Sequence, residues 1–466
     1  MFMKRKVNFL RLLAVALLSV CLANTAFTSA FTSAAIPQST TKETFTFGKA
    51  DLDLLAQAEL LDARLDKEGL IYNDRELEEY VNQIGQSLLS ADSPSEHVTW
   101  RFRVLRDPLI NAFALPNGSI YVHSGLLALL ENESQLAGVL AHEITHVRNR
   151  HPYLAYRSMR KKVLAINLLA LASAFTPNNT VGAFITLAAS VSQQLLVFSV
   201  FGYSRELERD ADQYAASRLL ESEYDPRALA SAFHLMTKDF EGENLDAGLL
   251  YRDHDKLGDR IKFVNQIVGE PAASRTAAQD KAERERYLAM TEKVARHNTQ
   301  LEINARRFRT AIALSEKLVT WRPSAENLTV LADAYRQAGP RSSALTEQER
   351  GGKGRKELRK FRQKMTLAEE EKALLATPAG QSANSNNQRQ AEELYQKALA
   401  LDAANAQAHL GLGLLYEATG KLPQAIIELR RFLELQPESA DRQRILRRVE
   451  ALEKAASGKG GTESKN

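Results

Sequence analysis

Cysteine is nearly absent from this chain. Its 466 residues include one, Cys21, inside an apolar stretch near the start. No intrachain disulfide can form, and cleavage after Cys21 would leave a chain with no thiol at all. A lipoprotein site would place a small residue just before that cysteine, and Val20 stands there instead. Excess charge of one sign is also missing. The net charge is +4, from 61 basic and 57 acidic residues, so composition gives no argument for nucleic acid as a partner. Hydrophobic residues at 44% and charged residues at 25% are ordinary globular values, and the length allows two or three domains.

A long, clean apolar run is the next absence. Leu12 to Ala23 follows Lys4, Arg5, Lys6 and Arg11, and Ala26, Ala30 and Ala34 come soon after. Residues 1–35 therefore read as an export signal, too short in its apolar part for a comfortable membrane span. Val181 to Phe201 has the length, but Ser190, Ser192, Gln193 and Gln194 interrupt it, and such groups are costly in lipid without partners.

What is present is His142-Glu143-Ile144-Thr145-His146. Asn132 can cap a helix there, Gln135 can close a capping box, and Pro152 is the expected stop. Four residues make about one turn, so His142 and His146 share a face and can hold one Zn²⁺. Glu143 is then the candidate general base for water activated by the metal.

A third ligand must come from elsewhere. The metzincin pattern needs Gly at position 149 and His at position 152, where this chain has Asn149 and Pro152. His151, five residues past His146, would lie well round the helix from the ligand face. A carboxylate remains, and Tyr203 to Asp212 supplies several. Ser204 can cap a second helix. Glu208 and Asp212 are four apart and share its face, and Ala211 and Ala215 would let it approach the first helix closely. Glu208 is the expected ligand. Asp212 is the expected carboxylate behind a ligating histidine, fixing its tautomer. The competing reading makes Glu206, Glu208, Asp210 and Asp212 a solvated acidic face.

Asn111 to Gly118, then Leu136-Ala137 through His142-Glu143 to His146, then Ser204-Arg205 and Glu208 through Ala211-Asp212 follow one another in order. This series resembles the HtpX/Oma-type gluzincin metallopeptidases, most of all their BepA-like periplasmic branch with tetratricopeptide (TPR) repeats. The resemblance implies zinc on His142, His146 and Glu208, with Glu143 as the base. It also implies a His and an Arg after the Glu208 helix, here His254 and Arg260, although Asp255 replaces the family's usual Pro. His254 is expected to reach the cleft, either as a donor to the reacting carbonyl oxygen or as a latch on the open metal position. Arg260 is expected to stand behind the ligands.

The architecture read from the chain is mostly α with a small β-sheet. A zincin-like domain over 45–268 is followed by an α-solenoid of TPR repeats over 280–456 and a loose tail over 457–466. Helical spacing runs from Leu52 to Leu89. Phe102 to Leu105 and Ile120 to Val122 are β-type runs around an Asn117-Gly118 turn, with Phe113–Leu115 at an edge near the metal. Residues 163–201 are expected as a helical hairpin over the site or against a membrane surface. His409, Leu412, Gly413, Tyr416, Ala425, Leu429, Phe432 and Pro437 fit a 34-residue repeat. Arg350 to Lys364 is a basic, solvated insertion.

The function expected from these readings is a zinc endopeptidase of the periplasm. It would act on polypeptides, with outer-membrane and envelope proteins as clients, and would use the repeats to dock clients or assembly machinery. The other reading is a chaperone or assembly factor whose protease site is normally latent.

Overall fold

The computed structural model describes residues 45–91, 93, 96–158, 203–240, 254–269, 276–341 and 367–459. The expected export signal, the apolar stretch 163–201 and the basic insertion 350–364 lie outside the described residues. Among the described residues no helix is long and apolar enough to cross a membrane.

Among the described residues two helices precede the sheet, α1 (Lys49–Lys67) and α2 (Arg75–Ser87). Leu54 and Ala58 of α1 are buried, as are Leu77, Val81 and Ile84 of α2, at the i, i+3, i+4 spacing of one helix face. Asp74 starts α2 by accepting a hydrogen bond from the Leu77 N–H at 3.2 Å.

The sheet has three strands, β1 (Arg101–Leu105), β2 (Ala112–Ala114) and β3 (Ser119–His123), in the order β1-β3-β2. β1 runs parallel to β3, with Phe102 beside Ile120, and β2 runs antiparallel to β3, with Phe113 beside Tyr121. Gly118 makes the β2–β3 turn at φ +95, where an added Cβ would stand 2.7 Å from the Thr99 carbonyl oxygen. A buried carboxylate fastens α1 to β3. Asp62 accepts from Ser119 Oγ at 2.6 Å, from Asn117 Nδ2 at 3.0 Å and from the Tyr121 hydroxyl. β2 is an edge strand among the described residues and packs against the helix that carries the two histidines.

After the short α3 (Ser124–Leu129) comes that helix, α4 (Glu133–Arg148). It is buried all round from Ser134 to Val147, as a central helix must be. Asn132 caps it through the Gln135 N–H at 2.9 Å, but Gln135 Oε1 turns to the Glu131 N–H at 2.6 Å rather than closing the box on Asn132. Pro152 does not stop α4. The helix ends at Arg148, Arg150 takes a left-handed φ of 59, and Pro152 sits in the first turn of the next helix, over 151–158.

α5 (Arg205–Leu220) and α6 (Ala228–Phe240) pack on α4, and α7 (His254–Val268) packs on both of them. Ala211 and Ala215 of α5 are fully buried where α5 packs on α4. Ser204 holds the N-cap position of α5, but its side chain makes no capping bond.

α8 (Ala277–Asn304) and α9 (Phe308–Trp321) belong to the same apolar core as α4. Tyr287, Leu288, Val294, Leu314 and Leu318 are all members of it. The Tyr287 hydroxyl donates to the Leu127 carbonyl at 2.7 Å, and Ser124 Oγ donates to Asn298 Oδ1 at 3.1 Å.

A second core begins at Ile303 and ends at Leu452. It is built from the end of α8, α9 and α10 (Ala325–Ala338), then α12 (Pro378–Leu401), α13 (Ala406–Ala418), α14 (Leu422–Leu435) and α15 (Arg442–Lys459), while α11 (Leu367–Leu375) packs on α12. Gly413 lets α14 approach closely, since an added Cβ would lie 2.8 Å from the Leu429 side chain. Each pair buries its apolar face only against the next, the logic of a helical repeat array. The chain is thus mostly helical with a small sheet, the part that carries the sheet being followed by helical repeats. α15 continues to Lys459, into the stretch expected as tail.

Candidate metal centre

α4 and α5 bring three donor atoms together. His142 Nε2 lies 3.1 Å from His146 Nε2 and 3.4 Å from Glu208 Oε2, and His146 Nε2 lies 4.0 Å from Glu208 Oε1. These three side chains form the one candidate metal-binding group among the described residues, their ligand atoms all within 4.8 Å of each other. Two lone-pair nitrogens at 3.1 Å can share only one proton. Donors bound to one ion at roughly 2.0–2.2 Å stand about this far apart. The donor set therefore fits zinc: two imidazoles and one carboxylate.

The other nitrogen of each histidine is also engaged. Asp212, with no solvent exposure, accepts from His142 Nδ1 at 3.0 Å. Arg260 reaches in from α7. Its Nε and Nη2 donate to the two Asp212 oxygens at 2.8 and 2.7 Å, and its Nη1 lies 3.1 Å from Glu208 Oε2. One guanidinium thus holds both the third ligand and the carboxylate behind His142. The Arg260 guanidinium also lies over the Phe233 ring at 4.2 Å. Tyr203, which the sequence pattern does not single out, stacks on the His146 ring at 4.0 Å, and its N–H donates to Glu208 Oε1 at 3.2 Å.

Burial alone would lower the His142 imidazole, but its hydrogen bonds to Asp212 and Glu208 outweigh burial and hold it up to about 9. His146 is driven well below its ordinary value by burial and by His142. Burial would raise Glu208, yet Arg260 and the two histidines keep it below the usual carboxylate range. Burial pushes Glu143 up to about 7, which suits a carboxylate that must take a proton near neutral pH. A metal dication would compete with protons for these donor atoms.

Residues 73–268 match Peptidase family M48. The chain is 33% identical over 178 residues to a putative beta-barrel assembly-enhancing protease of Vibrio cholerae, covering 36% of this chain and 35% of that protein. The beta-barrel assembly-enhancing protease of Escherichia coli is 32% identical over 166 residues, 34% of this chain and 32% of its own. The mitochondrial metalloendopeptidase OMA1 of Schizosaccharomyces pombe is 28% identical over 197 residues, 42% and 54% respectively. The chain thus spans about a third of the length of the bacterial relatives it matches and about half of the fungal one. The three donor side chains and Glu143 all fall inside the segment 73–268 that matches the family.

Of the residues expected at the site, the structure brings His142, Glu143, His146, Glu208, Asp212 and Arg260 together. His254 begins α7, and its side chain lies outside the described residues. The solvated-face reading of the acidic run holds for Glu206, which is exposed, but not for Asp212 or for the Glu208 carboxylate, which point into the site.

Proposed function

We propose that the chain is a zinc-dependent endopeptidase exported to the periplasm, acting on misfolded or stalled outer-membrane and envelope proteins. The observation that carries this is the convergence of His142, His146 and Glu208 on one point beside a buried Glu143. Bound zinc would supply Lewis acidity at the scissile carbonyl and lower the pKa of water there. Glu143 then takes the proton from the attacking water and returns it to the leaving amine. Asp212 keeps the His142 proton on Nδ1, which leaves Nε2 free as a ligand. β2, packed on α4, offers its free edge to an extended substrate backbone. His254 serves either as a donor to the developing oxyanion or as a latch on the open metal position. The repeats from α9 onward dock clients or envelope assembly machinery. The names of the bacterial relatives support the link to β-barrel assembly.

A second reading, a chaperone or assembly factor with a latent protease site, is favoured by the site's closure. His142, Glu143 and His146 are 3%, 5% and 2% exposed. Metal analysis combined with casein digestion by parent and Glu143→Gln tests the first reading. Envelope complementation by Glu143→Gln tests the second, which expects full rescue by the inactive protein.

A further inference from the structure

His151 looks dispensable in the sequence, since α-helical spacing turns it away from the ligand face. The helix does not continue that far. α4 ends at Arg148, its last bonds run from the Asn149 N–H to Thr145 at 2.8 Å and from the Arg150 N–H to Val147 at 3.1 Å, and Arg150 adopts φ 59. A non-glycine residue in that region carries a conformational cost of roughly 1–3 kcal/mol unless its surroundings fix it. Here the turn swings His151 back beneath His146. His151 is 1% exposed, its Nδ1 lies 2.9 Å from His146 Nδ1, and its Nε2 lies 3.0 Å from Asp210 Oδ2. Asn149 Nδ2 donates to the same Asp210 oxygen at 2.5 Å.

Resting on the metal-centre reading above, we infer that His151 and Asp210 are positioning residues for the ligand His146, equivalent to what Asp212 is for His142. One proton assignment satisfies every contact. The Asp210 carboxylate can only accept, so the His151 proton sits on Nε2. His151 Nδ1 is then an acceptor, and the His146 proton sits on Nδ1. That leaves His146 Nε2 with its lone pair toward His142 Nε2 and Glu208, where the metal belongs. The reverse assignment would put a proton on His146 Nε2 and block the site. Tyr203, stacked on His146 at 4.0 Å, closes one face of the ring and limits its rotation. α5 thus supplies three carboxylates with three tasks. Glu208 ligates, Asp212 orients one histidine directly, and Asp210 orients the other through His151.

The test is zinc affinity of the full chain, by chelator competition, with the visible spectrum of the Co²⁺-substituted protein as a second readout. His151→Phe keeps the ring and removes the acceptor. It should weaken zinc binding about 10- to 100-fold and shift the cobalt bands, while the melting temperature of the metal-free chain stays near the parent's. His151→Asn, which restores an acceptor close to the Nδ1 position, should recover most of the affinity. Asp210→Ala, at a half-exposed side chain where folding is not at risk, should weaken binding in the same direction by a smaller factor. Zinc affinities of His151→Phe and Asp210→Ala within twofold of the parent would overturn the inference. So would a His151→Asn protein as weak as His151→Phe. A parent chain that takes up no zinc would instead overturn the metal-centre reading itself.

Discussion

Asp212 accepts a hydrogen bond from His142 Nδ1 at 3.0 Å, at a place where the Asp212 side chain has no contact with solvent. A carboxylate so deeply placed is tolerable because Arg260 meets both of its oxygens, at 2.8 and 2.7 Å. The ligand histidine, its carboxylate and the arginine therefore stand or fall as one unit, and α4, α5 and α7 are tied together through them.

Asp212→Asn should weaken zinc binding about 10- to 100-fold while leaving Glu143 in place. It should also lower the stability of the metal-free chain, because Arg260 loses its principal charged partner. Isothermal titration with zinc and thermal melts of the chelated protein measure the two effects. Unchanged zinc affinity would show that Asp212 serves only the fold.

The metal-free protein should lose stability as pH rises from about 6.5 to about 9. The His142 imidazole is held up to about 9 in the folded chain, against an ordinary value near 6.5. The folded state keeps a proton that the unfolded state releases, so this contribution is complete below the unfolded value and is lost on passing the folded one. Glu143, raised to about 7, adds to the same slope at its lower end. Melting temperatures of the chelated chain at pH 6.5 and 9 check this. His142→Phe should flatten the slope, and a parent with no slope would contradict the assignment.

Truncation should separate the two cores. A chain ending at residue 275 loses Tyr287, Leu288, Val294, Leu314 and Leu318 from the core around α4. It should fail to give soluble, zinc-loaded protein. A chain ending at Arg341 keeps these residues and should bind one zinc and digest casein, yet process its envelope client poorly. Normal zinc loading by the chain ending at 275 would refute the shared core, and normal client processing by the longer one would refute a docking role for the repeats.

His254→Ala should lower kcat about 10²- to 10³-fold if His254 donates to the oxyanion, or raise basal proteolysis if it latches the metal position. Steady-state kinetics decides the sign. Unchanged kinetics with unchanged zinc affinity would remove His254 from the site.

Sequence pattern showed the two-histidine face of α4, the carboxylates on α5 and the hairpin around Gly118, because each depends on local spacing or on one turn. It did not show what depends on chain reversal or on distant packing. His151 was misplaced because helical geometry was extended past Arg148, where the left-handed Arg150 ends it. Tyr203 and Phe233 frame the rings of His146 and His142 without any spacing rule to mark them. The parallel pairing of β1 with β3 needs a crossover, which local periodicity does not encode. The division between 45–268 and 280–456 follows a change of periodicity, whereas Tyr287, Leu288 and Val294 of α8 pack into the core around α4.

The most direct test of the account is elemental analysis of purified parent and Glu208→Ala, together with casein digestion by parent and Glu143→Gln. The account expects one zinc per parent chain, none in Glu208→Ala, and full zinc but proteolysis reduced about 10²- to 10⁴-fold in Glu143→Gln. Zinc retained at one equivalent in Glu208→Ala, or full proteolysis by Glu143→Gln, would contradict it.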